Sequence, residues 1–317
     1  MYDFTSLSGL IECIERYKNR KKRSRRQDAD FIPFNYDMEN LVDCLQPLIK
    51  LNELIGMEKL KKNIIDQVLF YSQGLNTNEM MHTCLMGPPG VGKTTLGKIL
   101  AELYCCMGVL REGKFRVVSR ADFVAGYLGQ TALKTEKLLK SSLGGVLFID
   151  EAYSLGSSDD SFSKECIDTI NKFLAEHTTN FVMIIAGYSD ELDKSFFSFN
   201  AGLKRRFPWV YNIEKYNNLN LKDIFMYQVR SNDWEIDEKT LSGKVLEDFF
   251  EASSFENNGG DTLILFDKAK ICHSRRVFGK DKKYKKVLNL EDLEKALKLL
   301  KEHKNKNYKE PPFGMYI

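Results

Sequence analysis

One run of residues constrains this chain more than any other: Cys84-Leu85-Met86-Gly87-Pro88-Pro89-Gly90-Val91-Gly92-Lys93-Thr94-Thr95. A short apolar stretch, a Gly/Pro-rich turn and a helix-compatible segment from Thr95 to Met107 set G-x-x-x-x-G-K-T between a strand and a helix. In that setting the loop backbone wraps the α- and β-phosphates of a nucleotide, and Lys93 reaches the β- and γ-phosphates. Thr94 offers its hydroxyl to Mg²⁺, and the helix N-terminus adds the positive end of its dipole. Glycines are required because a Cβ would hold the backbone away from the phosphates. A glycine-rich hairpin that happens to carry a lysine is the plain alternative, but the strand before and the helix after favour the phosphate loop. The chain is expected to bind a nucleoside triphosphate through Gly87, Pro88, Pro89, Gly90, Val91, Gly92, Lys93, Thr94 and Thr95.

With 317 residues there is room for a nucleotide-binding domain and one smaller unit. A hydrophobic share of 43% with 29% charged residues is that of a globular chain with a substantial core. The net charge of +3 is too balanced to indicate a nucleic-acid binder by itself. Seven cysteines without a C-x-x-C pair fit free thiols in a reducing compartment. No apolar run is long enough to span a membrane, and no signal-peptide core opens the chain. The cytoplasm or nucleus is the expected location, with no membrane partner and no secretion.

Residues 1–50 read as a basic arm followed by a linker helix, Met38 to Leu51. The run Lys18-Asn19-Arg20-Lys21-Lys22-Arg23-Ser24-Arg25-Arg26 is either a solvated arm or a site for nuclear targeting or nucleic acid. Ahead of the phosphate loop, Leu54-Ile55-Gly56 falls where a wall of the base pocket is expected, although helix capping would look the same. Phe115–Ser119 reads as a strand. Tyr127, between Gly126 and Gly129, is either packed under the next helix or displayed to a partner, with packing slightly favoured. The continuous apolar run of 143–149 ends in Asp150-Glu151, a strand buried on both faces that delivers two carboxylates. Beside a phosphate loop, Asp150 suits the Mg²⁺ shell and Glu151 suits activation of the attacking water; a surface acidic pair is the plain alternative. Phe181–Ala186 is a further apolar strand, leading to Gly187-Tyr188. Alternating strands and helices imply a parallel sheet with its chemistry at the strand carboxyl ends. Arg205 and Arg206 are either surface charge or an arginine finger donated to a neighbouring active site. Beyond position 215 the pattern turns helical, over 219–230, 242–252, 262–276 and 290–302.

From about Leu54 to Phe207 the chain resembles the AAA+ ATPases, and within them the branch of the red-type Rubisco activase CbbX and stage V sporulation protein K. The phrases carrying the likeness are Gly87 to Thr94, Gly126-Tyr127-Leu128-Gly129, Gly144 to Tyr153, Lys164 to Thr169, Ile185 to Tyr188 and Gly202 to Phe207. Phe34-Asn35-Tyr36 and Asn258-Gly259-Gly260-Asp261 extend it to the versions found in large DNA viruses, which would place the protein in host cytoplasm or a virion. The resemblance implies an α/β P-loop NTPase, a parallel sheet flanked by helices, followed by a small all-helical lid. The implied boundaries are an arm and linker helix at 1–50, a nucleotide-binding domain at 51–213, a lid at 214–306 and a tail at 307–317. It implies a homo-hexamer that hydrolyses ATP with Mg²⁺ and remodels or threads a protein substrate. Ile55 and Gly56 then line the nucleotide site, and Thr94 and Asp150 hold the metal. Glu151 and Lys93 are catalytic with Arg206, or its rival Arg205, acting in trans, and Tyr127 with Leu128 forms a pore loop. Two features depart from the wider superfamily. Tyr188 falls where other branches carry a polar sensor, and no arginine opens the lid helix; Arg275 and Arg276 follow more than three helical turns later. The rival readings are a nucleic-acid motor or loader using residues 18–26, and a slow nucleotide-dependent scaffold or switch.

Overall fold

The computed structural model describes residues 6–23, 38–77, 79–127, 129–156, 161–200, 202–241 and 244–307. The chain divides into two units, one of Met1–Pro88 with Gly92–Glu214 and one of Pro89–Val91 with Lys215–Ile317. The first is built on a five-stranded parallel sheet of β1 (Thr83–Met86), β2 (Phe115–Val118), β3 (Val146–Ile149), β4 (Val182–Gly187) and β5 (Trp209–Asn212). The strand order is β2-β3-β4-β1-β5. Every residue of the three central strands is buried. That is why they read as unbroken apolar runs. The edge strand β5 buries only Tyr211, so no such run marks it in the sequence. Register sets Met86 against Gly187 and Ile149 against Ile185, which brings Gly87, Asp150 and Tyr188 out at the same carboxyl edge.

Among the described residues four helices precede β1: α1 (Leu7–Arg23), α2 (Met38–Asp43), α3 (Leu45–Glu53) and α4 (Glu58–Ser72). Between strands lie α5 (Lys93–Cys106), α6 (Arg120–Phe123), α7 (Thr131–Ser141) and α8 (Ser161–Glu176), and α9 (Ser189–Glu191) follows β4. Residues 7–23 are therefore a helix, not a solvated arm, and Leu7, Leu10, Cys13 and Ile14 are its buried stripe. The basic run continues past Arg23 outside the described residues, as does Phe34-Asn35-Tyr36. The expected linker helix is broken at Cys44. Pro47 explains the break, because its ring would collide with the carbonyl four residues back, at Asp43. Among the described residues no helix is long and apolar enough to cross a membrane.

The second unit contains α10 (Asn218–Ser231), β6 (Glu235–Ile236), α11 (Glu238–Leu241), α12 (Val245–Glu251), α13 (Gly259–Val277), β7 (Val287–Leu288) and α14 (Leu290–Asn307). Its core gathers Phe225, Phe250, Leu265, Phe266, Leu288 and Leu293. It is not wholly helical, since β6 and β7 pair in parallel; two-residue strands are too short to leave a period. The helix expected over 242–252 is shorter, and residues 242 and 243 lie outside the described ones. At the start of α13, Asn258 holds a left-handed backbone with φ 50°. Its side chain accepts the Tyr216 N–H (3.1 Å) and donates to Pro89 O (3.0 Å). Buried Asp292 joins α14 to α13, accepting from Arg276 Nε (2.9 Å) and Nη2 (2.8 Å) and meeting His273 Nδ1 at 3.2 Å. Arg276 is thereby committed to holding this unit together.

Candidate nucleotide-binding and hydrolysis site

The phosphate loop turns through Gly92, whose φ of 87° is open to glycine and costly for other residues. Gly92 caps α5, so Lys93, Thr94 and Thr95 form the first helical turn. Unpaired N–H groups and the positive dipole end are concentrated there. Lys93 Nζ donates to the carbonyls of Gly87 (2.9 Å) and Pro88 (2.8 Å), engaging two of an ammonium's three donors. Desolvation lowers its pKa, while the nearby Asp150 and Glu151 carboxylates pull the other way. Lys93 Nζ also lies 5.7 Å from the centre of the Tyr188 ring. At the expected sensor position the side chain offers a π-face.

Thr94 Oγ1 lies 3.4 Å from Asp150 Oδ2. A hydroxyl and a carboxylate are both hard oxygen ligands, and Mg²⁺ is commonly held by one or two such groups with the remainder from water and phosphate. The donor set fits that ion. Glu151 directly follows in a left-handed backbone with φ 49°, and its N–H bonds back to Asp150 Oδ1 at 3.0 Å. A non-glycine residue there is uncommon, and such strain is concentrated at functional sites. The two carboxylates border a 360 Å³ depression with Val117, Val118, Ser119 and Asp122.

The remaining expected residues are distributed around this centre. Ile55 and Gly56 lie in the α3–α4 turn, where Gly56 and Met57 have φ of 69° and 61°. That turn abuts the loop, because a Cβ on Gly92 would fall 3.8 Å from Met57 Cε. Pro89, Gly90 and Val91, the loop's tip, group with the second unit. Tyr127 is 74% exposed, which overturns the slight preference for packing that its neighbours alone suggest; Leu128 lies outside the described residues. Arg205 is exposed on the turn of Lys204–Arg206. Arg206 is half-buried, and its Nε has no hydrogen-bond partner among the described residues.

Three residues were not singled out in the sequence. Arg120 Nη1 donates to the carbonyls of Ser154 and Leu155 and to Ser163 Oγ (2.8–3.0 Å), fixing the segment that follows Glu151. His82, fully buried at the start of β1, accepts the Met183 N–H at Nδ1 (3.1 Å). Burial first, and then the Arg206 charge, lowers its pKa to about 4. Met57 reaches the phosphate loop, its Cε 3.8 Å from where a Cβ on Gly92 would stand. A lone histidine before an apolar strand and an arginine opening the one-turn helix α6 carry no periodic signal; for Met57, the adjacent Gly56 was the available clue.

Residues 83–207 match the family described as "ATPase family associated with various cellular activities (AAA)". A putative cfxQ-like protein, R730, of Acanthamoeba polyphaga mimivirus is 38% identical over 92% of this chain and 71% of its own length. Stage V sporulation protein K of Bacillus subtilis is 38% identical over 60% of this chain and 62% of its own. In three dimensions the chain is similar to the AAA domain of FIGL-1 in complex with ADP, with a TM-score of 0.59 at 19% identity, covering 78% of this chain and 83% of that one. RuvB of Thermotoga maritima gives 0.55 at 20%, covering 79% and 72%. Identity sustained along nearly the whole of this chain and over 71% of a CfxQ-like relative, together with the matched domain, shows that this chain belongs to the AAA family of ATPases, alongside the CfxQ-like and stage V sporulation protein K proteins, and is an ATP-hydrolysing enzyme.

Proposed function

We propose that the protein is a Mg²⁺-dependent ATPase that works as a homo-oligomeric ring, a hexamer, and couples hydrolysis to the remodelling or threading of a protein substrate. In this reading residues 51–213 form the nucleotide-binding domain and 214–306 the lid. The carrying observation is the Thr94 hydroxyl set against Asp150, with Glu151 held next to it in a left-handed backbone. When bound, Mg²⁺ would supply positive charge that offsets charge developing on the leaving group. Thr94 and Asp150 hold it. Lys93 turns from the Gly87 and Pro88 carbonyls to the β- and γ-phosphates. Glu151 takes the proton of the attacking water, and Arg206 of a neighbouring subunit offsets charge in the transition state. Support for the mechanical part is Tyr127, an aromatic ring standing in solvent between two glycines, where it can grip a polypeptide.

Two substitutions test the chemistry and the work separately. Glu151→Gln should bind ATP with near wild-type affinity in a fluorescent-nucleotide titration, while turnover falls at least about a hundredfold. Turnover that survives would remove Glu151 from the chemistry. Tyr127→Ala should hydrolyse ATP at the basal rate yet fail to unfold a tagged model substrate. Unfolding at the wild-type rate would assign the ring no mechanical role.

A further inference from the structure

The connection from the end of α13 to β7 is a second basic run, apart from that of residues 18–26, and unlike that one it is interleaved with aromatic residues. Residues 275–286 read Arg-Arg-Val-Phe-Gly-Lys-Asp-Lys-Lys-Tyr-Lys-Lys, seven cations against one carboxylate. Because the whole chain carries only +3, the rest of it is net acidic. Arg276 is engaged with Asp292, and the Asp281 carboxylate accepts the Lys283 N–H at 3.0 Å. The other six cations, Arg275, Lys280, Lys282, Lys283, Lys285 and Lys286, are all exposed. Among the described residues none of them forms an ion pair.

Two aromatic rings interrupt this charge. Phe278 is 91% exposed, more than any other large hydrophobic side chain among the described residues, and Tyr284 is 42% exposed with Lys283 Nζ 5.0 Å from its ring centre. The backbone beneath them is anchored. His273 Nε2 meets Lys285 O at 3.0 Å, Arg276 donates to Val287 O at 3.0 Å, and the Glu235 N–H donates to Lys286 O at 2.9 Å. A single exposed phenylalanine needs no explanation; one set among six unpaired cations on a pinned loop does.

We propose that residues 275–286 bind single-stranded nucleic acid, with the lysines and Arg275 taking phosphates and Phe278 and Tyr284 stacking on bases. Basic side chains that track a backbone, interleaved with rings that stack on its bases, are the two components of single-strand recognition. Duplex readout needs a helix or ribbon placed in a groove, and past Val277 this segment leaves the helix for turns and a single 3₁₀ turn over Lys282–Tyr284. An acidic polypeptide would satisfy the charges but gives the bared rings no flat partner. The site is separate from the remodelling reading and does not depend on it.

The test is fluorescence anisotropy of a labelled oligothymidylate of about 20 nucleotides against the full-length protein at several salt concentrations. Binding should weaken with salt, with a log–log slope of about −0.7 for each phosphate engaged. Reversing Lys282, Lys283, Lys285 and Lys286 to Glu should weaken binding at least about tenfold and flatten that slope. Phe278→Ala should cost about tenfold at an unchanged slope, and Phe278→Trp should recover it. Neutralising the basic run of residues 18–26 should leave the Phe278 effect in place, and basal ATP turnover should be unchanged in every loop variant. The proposal is overturned if the wild type does not bind at low salt, or if only the 18–26 run matters. It is also overturned if polyglutamate competes as well as oligonucleotide while Phe278→Ala has no effect, which would assign the loop to an acidic polypeptide.

Discussion

Among the described residues His82 Nε2 and Arg206 Nε are buried nitrogens without an acceptor, and the Arg206 guanidinium would repel a protonated His82. With Nδ1 accepting from Met183, the neutral ring carries its proton on Nε2. A second proton would place a full charge in a fully buried site close to the Arg206 guanidinium. Burial and that guanidinium hold the His82 pKa near 4, against an ordinary 6.5. The sign follows directly. An unfolded chain takes up this proton below pH 6.5, whereas the folded chain does not until about pH 4, so unfolding binds a proton between those values. Stability contributed by neutral His82 is complete above pH 6.5 and is lost as pH falls towards 4, on the order of 3 kcal/mol in all. Urea titrations at pH 7 and pH 5 should show the wild type less stable at pH 5. In His82→Asn, whose amide oxygen can still accept from Met183, that pH difference should shrink markedly. An undiminished difference would place the titration elsewhere.

At the scale of elements, the contact between the phosphate-loop helix and the sheet depends on a missing side chain. A Cβ on Gly97, within α5, would fall 2.7 Å from Cδ2 and Cε2 of Phe148 on β3, and that ring is fully buried. Glycine costs a helix about 1 kcal/mol relative to alanine, so propensity alone favours Gly97→Ala. Overpacking of a filled core costs about 1–3 kcal/mol, and an enclosed ring has little room to yield. The packing cost should prevail: Gly97→Ala should lower the urea midpoint and weaken ATP binding, since α5 carries Lys93 and Thr94. A raised midpoint would mean that Phe148 shifts without strain. The same contrast explains which elements the sequence reveals. Buried strands such as β3 need apolar residues on both faces, and catalytic side chains must leave their ends, so strand and motif appear together in the Val146–Glu151 stretch. The edge strand β5 is held through Tyr211, whose hydroxyl donates to Gln67 Oε1 at 2.9 Å, a contact 144 residues away that no local period reports. The break before α3 is the reverse case: the expected helix of Met38 to Leu51 ran through Pro47, whose ring carries the signal for it. The exposure of Tyr127 was not legible, because neighbouring glycines allow a loop to tuck in as readily as to project.

At the scale of the whole molecule, the proposed reaction requires more than one chain. Within the chain Thr94, Asp150 and Glu151 converge, but Arg206 turns its Nε into buried surroundings near His82, and Arg205 stands in solvent. Arg276, an obvious substitute from α13, is occupied by Asp292. If the transition-state cation comes from a neighbour, each active site combines Glu151 of one subunit with an arginine of the next, a head-to-tail arrangement that closes into a ring. Two inactive proteins should then restore each other. Arg206→Ala keeps an intact site but offers no arginine, and Glu151→Gln offers the arginine but has no base. In a random one-to-one mixture about one interface in four pairs a good site with a good arginine, so turnover should rise far above that of either protein alone. The same mixture made with Arg205→Ala separates the two arginines: a variant already active alone is not the finger. Mixtures no more active than their components, under conditions in which subunits exchange, would confine the chemistry to single chains and remove the ring from the mechanism.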